Sequence, residues 1–265
     1  MQILLADETN RQPSSKARFF VYGGLIMDVA RLSELDADIA TIRREAGYLP
    51  PDDLKFDTRA RPAQVSVEAA TEAKRKVIAS CLRLDAKFIA YVALHDIIKG
   101  KDPDDQVRFA ANTVICQFDR YLQNVAHDHG ICIVDNLPVK RSWQYLSEKF
   151  TSGLDIGGVC RPVDRIKLFA ATCNNASHAS SAMDIVLGTF RYCINKPANA
   201  AAASRMMKSV VELMWHERRG HTILATERGL VMRPLVDKIR VKQYRDEYDA
   251  LLEHINKLLA GRAAQ

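Results

Sequence analysis

The chain has 265 residues, of which 48% are hydrophobic, enough for one large domain or a domain with an appendage. No apolar run approaches the ~20 residues of a membrane-spanning helix, and the first apolar segment is too short for a signal peptide and meets acids at once, so a soluble, cytoplasmic protein is expected. The formal net charge of +6 favours a polyanionic partner, nucleic acid (DNA or RNA) above all.

Gln2 to Ala6 reads as a short buried strand that ends in Asp7-Glu8. A polar stretch to Ser15 leads into a second strand, Arg18 to Met27, which carries Gly23-Gly24. The connection is short, so the two strands are expected to be antiparallel. Leu32, Leu35, Ile39 and Ile42 recur at helical spacing, and Gly47 stops that helix. Leu54-Lys55-Phe56 reads as a short strand or an extended loop. A helix is predicted over 67–84. Ala86 to Leu94, almost continuously apolar, reads as a central parallel strand. A long helix follows over 104–128, with Gly130 as its capping residue, and then a strand, Ile131 to Val134, that ends in Asp135.

Residues 138–162 read as a loop with a short helix, and Arg165 to Ala171 as a strand. Helices are predicted over 180–195 and 199–217. Ile223-Leu224 and Leu230 to Met232 flank Glu227-Arg228-Gly229 as a small hairpin, and a last helix spans 239–259. Alternating strands and helices after an antiparallel opening define an α/β fold with a mixed sheet.

Carboxylates at the exit of a buried strand are costly unless they face a cation. Asp7 and Glu8 are adjacent on extended chain and point to opposite faces; Asp7 is the one favoured for a site. Ligand crevices in open α/β sheets lie beyond the C-terminal strand ends, where Asp7 and Asp135 converge if their strands are parallel neighbours. Asp184 borders the buried stripe of its helix beside Met183 and Leu187. Three convergent carboxylates make a magnesium or manganese site of the kind used in phosphoryl transfer. Each acid also has a structural reading. Asp135-Asn136-Leu137-Pro138 makes a good turn, and Asp184 can pair with Arg191 or answer a helix dipole.

Other features point elsewhere. The six cysteines form no Cys-x-x-Cys pair, which argues against a zinc site or a disulfide framework. His127-Asp128-His129-Gly130 suits a helix end, and Ser177-His178 an N-cap region. His216 to His221 lacks zinc-protease spacing, and no phosphate-binding glycine loop occurs. Asp7-Glu8-Thr9 has Thr9 where a haloacid-dehalogenase phosphatase needs a second Asp.

Taken in order, these segments resemble the bacterial and phage domain-of-unknown-function 3800 family. That family opens with a strand ending Asp-Glu-Ser-Gly and a strand with a Gly-Gly pair, to which Ala6-Asp7-Glu8-Thr9-Asn10 and Val21-Tyr22-Gly23-Gly24-Leu25 are similar. Its Glu-Leu-Lys-Trp segment resembles Asp53-Leu54-Lys55-Phe56, and its strand ending in Asp resembles Ile131 to Asp135. Its Ala-Asp-Leu-Val-Ala-Gly helix resembles Ala182-Met183-Asp184-Ile185-Val186-Leu187-Gly188. Thr9-Asn10, Asp53 and Phe56 are departures from the pattern.

The resemblance implies a ribonuclease H-like α/β domain over 1–197, with a helical C-terminal extension over 198–265 packed on it. It implies a metal-dependent nuclease, with Asp7, Asp135 and Asp184 as ligands of Mg or Mn and with Glu8 or Asp53 completing the shell. Lys55 would steady a phosphate. In such sheets the strand beside the first usually donates an acid, and Ala86 to Leu94 would offer His95 or Asp96 there instead of Asp135. The rival is a non-catalytic nucleic-acid- or protein-binding member of the same fold, with a mobile-element or phage-defence role. A third class is a small-molecule phosphatase.

Overall fold

In a computed structural model of the chain, which describes residues 1–9, 17–100, 102–135, 142–156, 158–173, 176–195, 200–219 and 222–263, the opening segment Gln2–Thr9 forms strand β1. Its residues Ile3 to Ala6 are buried although alternate side chains leave opposite faces, which is why the run is continuously apolar. Strand β2 (Phe19–Asp28) returns antiparallel beside it, and β3 (Lys87–Leu94) lies antiparallel to β2. On its other side β1 pairs in parallel with β4 (Gly130–Asp135), and β4 with β7 (Ile166–Thr172).

The sixth strand, β10 (Leu230–Met232), runs parallel to β3, so the sheet order is β10-β3-β2-β1-β4-β7. Within this sheet only β2 runs against the rest. The sheet is mixed, as expected, and it gathers the C-terminal ends of β1, β3, β4, β7 and β10 along one edge.

Helices cover both faces. On one lie α1 (Leu32–Ala46), α2 (Val67–Arg83), α6 (His178–Asn195), α7 (Ala200–Leu213) and α8 (Lys242–Ala263); their core includes Ile39, Val77, Val186, Val210 and Ile255. The other face carries α4 (Pro103–Tyr121) and α5 (Ser142–Ser152), around Val114, Phe118 and Leu146. A single turn, α3 (His95–Ile98), follows β3. Among the described residues there are also two small hairpins, β5 (Leu154–Ile156) with β6 (Val159–Arg161) and β8 (Glu217–Arg219) with β9 (Thr222–Leu224). Among the described residues no helix is long and apolar enough to cross a membrane.

Local signals set the helix boundaries. Ser66 Oγ accepts the Ala69 N–H at 3.1 Å to start α2. Asp102 Oδ1 accepts the amides of Asp104 and Asp105 ahead of α4, with Pro103 in the first turn. Gly47, at φ 87°, ends α1.

Several expectations change. Ala86 to Leu94 is not a central strand among parallel neighbours, because β2 lies antiparallel beside it. Of the two readings open for Leu54 to Phe56, the structure takes the loop. The helix over 104–128 ends regularly at Tyr121 and passes through a wide turn, Leu122–Ala126; His127, at φ 49°, takes the cap expected of Gly130, which instead begins β4. Asp128 binds the N-terminal amino group at 2.6 Å.

The hairpin expected around Glu227 to Gly229 does not form, because its two halves find other partners. Ile223 pairs with Arg218, while the Gly229 carbonyl accepts the Ala90 N–H at 2.8 Å and brings β10 to the sheet. The C-terminal part expected as a helical extension thus also supplies a strand of the main sheet. Asn10, Asn136 to Pro138 and His221, named in the sequence motifs, lie outside the described residues.

Candidate functional site

The β1–β4 register pairs Ala6 with Val134, and one residue further on Asp7 stands beside Asp135 at the C-terminal edge of the sheet. Asp7 also lies opposite Gly23 of β2. A Cβ on Gly23 would meet Leu187 Cδ1 at 2.7 Å, so Gly23 faces α6 and lets that helix approach the sheet. Alternation then puts Asp7 and Asp135 on the α6 face, while Glu8, near the end of β1, still borders the cleft there. Asp7 and Asp135 border, with Thr172, Ser180 and Met183, a small half-open pocket of about 10 Å3, enough for one water-sized sphere.

Asp184 comes to the same region from α6. It lines, with Asp7, Glu8, Lys55 and Arg191, an open cleft of about 610 Å3. One of its oxygens is already engaged: Asp184 Oδ2 accepts the backbone N–H of Phe56 at 2.6 Å. One helical turn on, Gly188 receives the ring of the same Phe56, and a Cβ there would sit 2.3 Å from Phe56 Cγ. Lys74 Nζ donates to the Phe56 carbonyl at 2.9 Å and to Thr58 Oγ1 at 2.6 Å. The cationic groups of Lys74 and Arg191 lie 5.2 and 5.6 Å from the ring centroid. Phe56 is therefore held at its amide, its carbonyl and its ring.

Electrostatics follow from this packing. Burial pushes the Asp7 carboxyl up to about 8, and the charges of Asp135, Glu8 and Asp184 add to it, against one hydrogen bond from the Glu8 amide. Burial raises Asp184 as well, opposed by the Phe56 amide, Lys55 and Arg191. Like charges gathered in a partly desolvated cleft are relieved by a cation or by a proton.

The predicted residues thus divide. Asp7, Asp135 and Asp184 come together on one face. Glu8 and Lys55 line the mouth of the cleft. Asp53 does not line it; its carboxylate pairs with Lys55 at 3.4 Å. Asp96 does not stand beside Asp7, because β2 separates β3 from β1 and Asp96 pairs with Arg18 at 3.2 Å.

The three aspartates do not form one preformed ligand set: among the described residues no three His, Cys, Asp or Glu side chains are grouped to hold one ion. Asp7 and Asp135 border the small pocket, Asp7 and Asp184 line the cleft, and the charge of Asp135 also reaches Asp184. Their chemistry fits a hard divalent cation. The donors are carboxylate oxygens, Asp7 and Asp135 border one small pocket, and burial with neighbouring carboxylates makes Asp7 costly to ionise without a cation.

Sequence reasoning did not find the Phe56 clamp or Lys74. A signal existed in each case. Gly188 follows Asp184 by four residues and so shares its helix face, and Lys74 interrupts the buried stripe Ala70, Ala73, Val77 of α2.

No family model matches the chain, and no curated protein matches it significantly. Solved structures similar to it include the ribonuclease HII of Archaeoglobus fulgidus in complex with PCNA, at 11% identity and TM-score 0.43, covering 72% of this chain and 73% of that one. The ribonuclease H2 of Pyrococcus horikoshii is similar at 14% identity and TM-score 0.45, covering 78% and 86%. A mutant Bst-RNase HIII is similar at 14% identity and TM-score 0.43, covering 80% and 62%.

Proposed function

We propose that the chain is a Mg- or Mn-dependent phosphodiester hydrolase acting on nucleic acid, of the family its motifs resemble. The observation that carries this reading is the placement of Asp7 beside Asp135 on parallel strands, facing Asp184 of α6 at the sheet edge where α/β ligands bind. Asp7 and Asp135 would hold the cation, and Asp184 would reach it with the oxygen not given to Phe56. A divalent cation there would supply Lewis-acid polarisation of a phosphoryl oxygen and would lower the pKa of an attacking water.

The chain's own residues do the rest. Lys55, Arg59 and Arg191 line the cleft and offset phosphate charge. The Asp184–Phe56 hydrogen bond fixes the loop that carries Lys55 and Arg59. The open cleft suits a strand better than a small phosphate ester enclosed on all sides.

A second reading is a non-catalytic nucleic-acid-binding protein of the same fold. It is favoured by the absence, among the described residues, of a preformed three-ligand group. Manganese titrated calorimetrically into metal-free wild type, Asp7→Asn and Asp135→Asn proteins separates the two, together with cleavage assays on labelled DNA and RNA. The first reading expects binding and cleavage by wild type and the loss of both in each variant. Oligonucleotide binding without metal binding or cleavage would leave the second.

A further inference from the structure

A second cleft, of about 700 Å3, opens between α2 and α7. Phe56, Thr58 and Tyr192 line both it and the carboxylate cleft, so the two meet across these residues. The α2 wall grades along one helix face from Thr71 and Arg75 to Ile78 and Leu82, and α7 contributes Arg205 and Ser209. Its described lining holds three cationic residues, Lys74, Arg75 and Arg205, and no carboxylate.

Lys74 is committed to the Phe56 carbonyl and Thr58. Arg75 makes a surface ion pair with Glu72 at 3.1 Å, of the kind that exchanges readily for another anion. Arg205 is exposed.

The volume lies within the range of small-molecule sites. An apolar occupant would make no use of Arg75 and Arg205, and an inorganic anion would make no contact with the apolar wall of Ile78 and Leu82. A planar base joined to a phosphate answers both. Aromatic rings stack bases without sequence preference, and arginines bind phosphate in a bidentate fashion.

We propose that the cleft between α2 and α7 binds a nucleoside phosphate, its base against Tyr192 and the apolar wall and its phosphate toward Arg75 and Arg205. A free mononucleotide and one unit of a nucleic-acid strand offer the same chemistry. The strand source rests on the function proposed above; the mononucleotide source does not.

The test is calorimetric titration of metal-free protein with adenosine monophosphate, adenosine, inorganic phosphate and a single-stranded deoxyadenosine dodecamer. Wild type is expected to bind adenosine monophosphate at least tenfold more tightly than adenosine or phosphate. Arg75→Glu/Arg205→Glu is expected to weaken it at least tenfold, and Arg75→Gln/Arg205→Gln to weaken it less. An unfolding curve for each variant establishes that it is folded. Asp7→Asn, which tests the cation site, should leave adenosine monophosphate binding as in wild type, so the two readings fail separately.

Dodecamer binding that competes with the mononucleotide and weakens in the same variants assigns the strand source, and mononucleotide binding alone assigns the free ligand. Absence of binding to wild type by both ligands, or equal binding by the charge-reversed protein, overturns the proposal.

Discussion

The Phe56 amide donates to Asp184 Oδ2 at 2.6 Å, joining two residues 128 positions apart in sequence. This bond makes Asp184 a structural residue whether or not it also meets a cation. A partly buried hydrogen bond to a charged acceptor contributes about 1.5–3 kcal/mol. Asp184→Ala is therefore expected to lower stability by about that much in urea unfolding and to speed proteolysis near Arg59. Asp184→Asn keeps an acceptor oxygen and should lose less than half as much. Equal losses would mean that the loop is held by other contacts.

Gly188 gives the Phe56 ring its seat, since a Cβ added at this position would lie only 2.3 Å from Phe56 Cγ. Gly188→Ala should displace the ring and cost about 1–3 kcal/mol, as overpacking does. The cost should fall in a Phe56→Ala background, where the clash is gone, and a double-mutant cycle measures this coupling. Additive effects would show that the two residues do not meet.

Asp7 sits among like charges, and burial adds to the cost of ionising it. Asp7→Asn should raise the stability of metal-free protein by about 1–3 kcal/mol near neutral pH, because with its folded pKa raised to about 8 the Asp7 carboxyl must take up a proton on folding, a cost that Asn does not carry. The same change should abolish manganese binding. Thermal unfolding in chelator, beside the metal titration, checks both; a destabilised variant that still binds manganese would contradict the site.

Lys149 lies 3.6 Å from the Tyr145 ring centroid, buried, with its ammonium pKa lowered by desolvation to about 8. Unfolded lysine titrates near 10.4. Between these values the unfolded chain binds more protons, so the Lys149 contribution makes stability rise as pH goes from about 8 to about 10. Lys149→Met should flatten that rise and stabilise the protein by about 1–2 kcal/mol at pH 7. Unfolding curves across this interval test it, and an unchanged slope would mean that Lys149 is hydrated.

Much of the fold was legible because its signals are local. The apolar run Ile3 to Ala6 identified a two-sided strand, the stripe Leu35, Ile39, Ile42 a helix, and Gly47 its end. The alternation that separates Asp7 from Glu8 could be read from adjacency alone. Leu230 to Met232 shows the opposite case. The run is apolar enough for a strand, but whether it pairs with Ile223 or Ala90 depends on backbone groups far away in sequence.

By itself, then, the sequence determined most strands of the main sheet and its larger helices, and that acids stand at the ends of β1 and β4 and on the inner side of α6. Periodicity and burial of neighbouring side chains decide these within a few residues. Only the tertiary structure decided that β4 and not β3 lies beside β1, which makes Asp135 and not Asp96 the partner of Asp7. It also decided that Asp184 divides its oxygens between the cleft and Phe56. Strand order and the Phe56 clamp depend on long-range hydrogen bonds and close packing, whose partners are chosen by the whole chain and leave no period in any one segment.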